Sequence, residues 1–166
     1  MPMIDAILGE LEREAGSTRK LLERVPVDKF DWSPHPKSMN LGRLATHLAI
    51  LPANISRMAS LDTFEFGGFA FPEIHNREEL LARLDQSLGQ AREILGGMTD
   101  ERLMSDWSGT REGKTLMTIP RILLLRAVLL NHWYHHRGQL TVYLRLLEIP
   151  LPSIYGPSAD ENPFAA

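Results

Sequence analysis

Residues 120–148 read PRILLLRAVLLNHWYHHRGQLTVYLRLLE, and the spacing within this stretch decides the fold class. Leu125, Leu129, His132, His136, Leu140, Tyr143 and Leu147 recur at intervals of three and four residues, the period that lines side chains along one helical face. Pro120 suits a first helical position, where its missing N–H would have no partner anyway, and Pro150 and Pro152 end the pattern. The spacing predicts a helix over 120–148.

The same period returns three times upstream. Ile4, Ile7, Leu8, Leu11, Ala15, Leu22 and Val25 form a stripe that Pro26 stops. A second helix is expected after the broken stretch Trp32–Lys37, with Ser38 or Asn40 as N-cap. It carries Leu41, Leu44, Ala45, Leu48 and Leu51 towards Ser60, and Pro52 is expected to kink or shorten it. A third helix starts near Asn76, with Glu79 three residues on as in a capping box, and runs through Leu81, Leu84, Leu88, Ala91 and Leu95 to Met98 beside Gly96-Gly97. Phe64–Pro72 reads as a loop, and Asp106–Lys114 as turns or a short hairpin. Four such stripes bury one another most simply as an all-α, antiparallel four-helix bundle, expected here as one domain over 1–166.

Composition narrows the function. The 166 residues contain no cysteine, which excludes disulfide scaffolds, zinc ribbons, iron–sulfur sites and a thiol nucleophile belonging to the protein. The formal charge of −3 and the absence of a basic stripe argue against nucleic acid as a partner. The longest dense apolar run, Ile122–Leu130, is interrupted by Arg126, so no membrane partner is expected. No signal peptide stands out, and a cytoplasmic location is expected.

Three of the six histidines fall within 132–136. His132 and His136 stand one turn apart inside the apolar stripe, where imidazoles at i and i+4 can turn ring nitrogens to one ion. His47 lies on the inward side of the second helix, three residues after Leu44 and four before Leu51. Two readings remain open for all three: core histidines that each need their own hydrogen-bond partner, or metal ligands. A zincin is excluded because Trp133, Tyr134 and His135 occupy the positions where His-Glu-x-x-His needs its glutamate. Glu-x-x-His motifs of di-iron bundles are missing as well. Three imidazoles without a carboxylate would leave a coordination position open, as catalytic rather than structural zinc sites do.

The block Asn131-His132-Trp-Tyr-His135-His136-Arg137-Gly138-Gln139-Leu140, the later Tyr155-Gly-Pro-Ser-Ala-Asp160-Glu161 and the upstream Leu41-Gly42-x-Leu44-Ala45-x-His47 resemble the DinB family of YfiT-like metalloenzymes. The resemblance implies a bundle running up-down-down-up with a long crossover, assembled as a homodimer. It also implies a divalent ion, zinc or nickel before others, on His47, His132 and His136. Characterised relatives include a mycothiol-dependent maleylpyruvate isomerase and a bacillithiol S-transferase, so the expected activity is transfer or addition of a low-molecular-weight thiol to a small-molecule substrate. The alternatives are a metal-dependent hydrolase and a non-catalytic metal-binding bundle of the stress response.

Other residues near the block allow a functional and a structural reading. Arg137 can bind a carboxylate of substrate or thiol cofactor, or serve an ion pair between helices. His135, about 100° round the helix from His136, is expected beside the ligands or on the surface. Asp160 and Glu161 can orient a histidine or belong to a solvated tail. Gly138 is expected to mark close helix packing.

Overall fold

In a computed structural model, described here over residues 2–67 and 70–165, the long helices form where the apolar stripes lie. They are α1 (Met3–Leu22), α2 (Leu41–Ser60), α3 (Arg77–Gly96) and a final run made of α5 (Arg121–Leu124), a π-helical stretch (Leu125–Asn131) and α6 (His132–Leu146). A short α4 (Asp100–Met104) and three strands, β1 (Thr63–Glu65), β2 (Asp106–Arg111) and β3 (Lys114–Pro120), lie between them. The fold is thus mostly helical with a small sheet, which corrects the expectation of an all-α chain.

The helix starts follow their caps. Asn40 rather than Ser38 caps α2, its Oδ1 accepting the Arg43 N–H at 2.8 Å. At α3 the Asn76 side chain accepts the Glu79 N–H, and Glu79 in turn accepts the His75 N–H, each at 2.8 Å. Gly42 has a packing reason: a Cβ there would stand 2.9 Å from the Phe30 side chain.

Pro52 does not shorten α2; the helix continues to Ser60. Without a proline N–H, the Leu48 carbonyl loses its partner four residues on. The buried Trp133 indole of α6 donates to that carbonyl at 2.9 Å. The next N–H, that of Ala53, turns to Ser87 Oγ of α3, also at 2.9 Å. A helix-breaking residue thereby ties α2 to two neighbours, just past His47.

The end of α2 is closed from the sheet side. Its last carbonyls lack intrahelical donors. Trp107 Nε1 donates to Met58 O at 3.0 Å, and the buried Arg121 donates to Ala59 O at 2.6 Å and Leu61 O at 2.9 Å. Holding Trp107 there is the work of the sheet, ordered β1-β2-β3, in which β2 pairs parallel with β1 and antiparallel with β3. Glu112 and Gly113, both at positive φ (52° and 72°), make the tight β2–β3 turn. The hairpin expected from sequence exists, and is longer than 106–114. Phe64 and Glu65 correct the expected loop: three residues paired in parallel are too short to display a two-residue period.

The core unites all these elements, from Leu11 and Leu22 of α1 through Leu48, Leu84 and Trp107 to Leu129 and Leu140. Among the described residues no helix is long and apolar enough to cross a membrane.

Candidate metal centre

The π-helical stretch ends where the histidines begin. Widening the helix over Leu125–Asn131 keeps Leu125, Leu129 and Leu130 buried and then delivers His132, Trp133 and His136 towards α2. Trp133 fixes the approach through its bond to Leu48, one residue after His47. Anchoring and presentation therefore come from adjacent positions on both helices.

His47, His132 and His136 converge. Their rings are 5.3 Å (His47–His132), 4.5 Å (His47–His136) and 4.4 Å (His132–His136) apart between centroids. One ring nitrogen from each lies within 4.8 Å of the other two, a spacing that can hold a metal ion. The Nε2 atoms of His132 and His136 are 2.7 Å apart. His136 Nδ1 faces Gln139 Oε1 at 2.7 Å, so its N–H donates there and the Nε2 lone pair is left for the cluster. His132 Nδ1 is buried and makes no hydrogen bond of good geometry among the described residues, though the Val128 carbonyl one turn back favours a proton on this ring.

Electrostatics keep the rings neutral. Burial, then the neighbouring His136 and His132 and the Arg43 guanidinium, push His47 down to about 4. Burial is the first cause of lowered values at His132 and His136 too; Gln139 works in the opposite direction on His136. Neutral imidazoles with free lone pairs are what a divalent ion requires. The cluster lacks an acidic side chain, and although the His132 and His136 Nε2 atoms pair with each other, that contact leaves His132 Nδ1 without a good partner. The donor set fits a divalent metal of borderline softness such as zinc or nickel.

The chain matches the model of the DinB family over residues 3–163. It belongs to the DinB family. The uncharacterized protein YrdA of Bacillus subtilis is 26% identical over 158 residues, covering 95% of this chain and 91% of that relative. Among solved structures, a DinB-like protein from Bacillus subtilis superposes with a TM-score of 0.72 at 20% identity, covering 90% of this chain and 97% of its own. Another from Bacillus cereus gives 0.70 at 22% identity, with 91% and 97% covered. These likenesses carry the DinB-like fold.

The remaining predicted residues separate from the cluster. His135 is exposed, its ring 5.2 Å from that of His136. Arg137, only 3% exposed, turns to α1: it ion-pairs with Glu14, donates to the Glu14 carbonyl at 3.0 Å and reaches the Tyr155 hydroxyl. These contacts answer to the ion-pair reading of Arg137. Among the described residues Asp160 and Glu161 orient no histidine; they pair with Arg145 and Arg24 and fasten the C-terminal segment to α6 and to the turn after α1. A Cβ at Gly138 would meet nothing within 4 Å, so close helix packing does not explain that glycine, and nothing else in the structure does. Two contributors were missed in the sequence. Phe71 lays its ring 5.9 Å from His47, and Arg43 stacks 4.8 Å over Phe71. Phe71 sits in an irregular segment, where no period marks which aromatic lies beside the histidines.

Proposed function

We propose that this DinB-family protein is a metal-dependent enzyme that activates a low-molecular-weight thiol and transfers or adds it to a small electrophilic substrate. The observation that carries this reading is the convergence of three neutral imidazoles with no carboxylate among them. His47, His132 and His136 would hold the ion and leave coordination positions to small molecules. A bound divalent cation stabilises thiolate over thiol and so supplies a nucleophile near neutral pH. The protein has no thiol of its own, so the sulfur would come with the cofactor.

The residues around the ligands have distinct parts. Gln139 holds the His136 ring in the tautomer that presents Nε2 inwards. Phe71 sets an apolar ring beside His47. The long helices are read as the up-down-down-up bundle with its crossover. Val142 and Leu146, one turn apart on α6 and each 57% exposed, support assembly as a homodimer.

Elemental analysis after incubation with zinc, nickel and manganese tests the site. About one ion per chain is expected, lost in His132→Ala and His136→Ala while far-ultraviolet circular dichroism stays helical. A metal-free wild type would overturn the assignment. With metal bound, thiol transfer to an electrophile should depend on the ion. Ester or amide hydrolysis responding in its place would make the protein a hydrolase, and a metal that only raises the melting temperature would make the site structural.

A further inference from the structure

Eight of the fourteen arginines form ion pairs with Asp or Glu among the described residues. Of the other six, Arg43, Arg57 and Arg83 gather around one residue, Phe71, which is also the residue against His47. Arg57 and Arg83 share one cavity beside a candidate active centre, and charge left there without a carboxylate calls for a cause.

Arg57 of α2 and Arg83 of α3 line a cavity of about 340 Å³ between those helices, with Phe71 and Pro72 along its edge. No Asp or Glu lines it among the described residues, and the polar groups beside the arginines are the neutral Gln86 and Gln90. Arg57 Nη2 donates to Gln90 Oε1 at 2.5 Å and Arg83 Nη1 to Gln86 Oε1 at 2.8 Å. Each guanidinium has five N–H donors, so most of both forks is left for a ligand. On the other side of Phe71 the contrast is plain: Asp31 and Glu73 line the cavity there together with Arg43. Of these two cavities, the one lined by Arg57 and Arg83 offers positive charge with no counter-charge among the described residues.

Its apolar surface says what kind of anion fits. Ile50 and Ala53 of α2 and the Phe71 ring supply greasy walls next to the guanidinium forks, a combination suited to an anion with a hydrocarbon body. We propose that this cavity binds a small organic acid, with its carboxylate on Arg57 and Arg83 and its apolar part against Phe71. The site goes beyond the metal-centre reading and does not depend on it. If both hold, the acid lies one phenyl ring from His47.

Titration calorimetry on metal-free protein at low ionic strength tests the site without invoking the metal. The probes are succinate, its uncharged diamide succinamide, and inorganic phosphate. Succinate should bind at least about tenfold more tightly than succinamide, since charged pairs exceed neutral ones by that order. The double variant R57Q/R83Q should lose at least about tenfold in succinate affinity. Gln90→Glu keeps the side-chain shape and gives Arg57 an internal carboxylate, so it should weaken succinate similarly while leaving the fold at least as stable. That second variant keeps the test decisive if R57Q/R83Q does not fold. His132→Ala should leave succinate affinity unchanged. Equal binding of succinate and succinamide, or wild-type affinity in Gln90→Glu, would overturn the site. Phosphate binding as tightly as succinate would overturn its assignment to an organic acid.

Discussion

His136 and Arg137 are neighbours on α6, both nearly buried, and they belong to opposite kinds of polar cluster. The Arg137 guanidinium meets the Glu14 carboxylate, the Glu14 carbonyl and the hydroxyls of Thr18 and Tyr155; Tyr155 in turn donates to Glu14 at 2.7 Å. Charge and hydrogen bonds close within the protein. Across the helix, three imidazoles face one another with no acidic partner, and burial with mutual repulsion lowers their affinity for protons. A closed cluster holds helices together, whereas an open one spends folding stability on unfilled binding capacity.

Breaking the closed cluster should have the largest effect. Glu14→Ala leaves the Arg137 charge buried without a carboxylate, and unfolding free energy should fall by about 3–5 kcal/mol in urea titrations. Metal retention should be unchanged in whatever fraction remains folded. A loss below about 1 kcal/mol would show that the pair is no more than a surface salt bridge.

The open cluster should reveal itself through pH. Its histidines have folded-state values below the ordinary 6.5, so the folded protein binds fewer protons than the unfolded chain. Their contribution to the stability of the metal-free protein is therefore fully present above about pH 6.5 and is lost as pH falls through the depressed values. For His47, lowered to about 4, the loss between those limits is roughly 3 kcal/mol at 1.36 kcal/mol per unit. Thermal melts of metal-free wild type from pH 7 to 4 should show the decline, and His47→Gln should flatten it. A parallel decline in both would place the titrating groups elsewhere.

These two clusters were unequally legible in the sequence. Period alone located His47, His132 and His136, because each sits within an apolar stripe and ligand spacing coincides with helical spacing. Arg137 lay in view with both roles open, since its partner Glu14 is 123 positions earlier and only the packing of α1 on α6 selects it. The start of α3 was readable from the Asn76–Glu79 pair, while Ser38 and Asn40 were equally good caps for α2 until the chain's path was known. The π-helical stretch was invisible: Leu125, Leu129 and His132 keep three- and four-residue spacings that an α-helix would share. The sheet went unread for a related reason, since β1 is three residues long and β3 is exposed over most of its length. Pro52 suggested an early end of α2, whereas the helix continues and the vacated carbonyl is satisfied by Trp133 from another helix.

The smallest change sharpens the boundary between the two clusters. Gln139 is half-buried and accepts the His136 Nδ1–H at 2.7 Å. Gln139→Ala should cost the fold less than about 1.5 kcal/mol, the net value of one hydrogen bond. Its effect on the metal should exceed its effect on the fold. Freed of that acceptor, the His136 ring can place its proton on Nε2 and withdraw the lone pair from the cluster, and zinc affinity should fall about 10–100-fold. Gln139→Glu should act in the opposite direction, because a carboxylate on the same Nδ1–H fixes the same tautomer and raises the basicity of Nε2. Competition with a chromophoric chelator measures both. Equal zinc affinity in wild type, Gln139→Ala and Gln139→Glu would mean that His136 needs no orienting partner. The cluster would then be open on its outer side as well as its inner one.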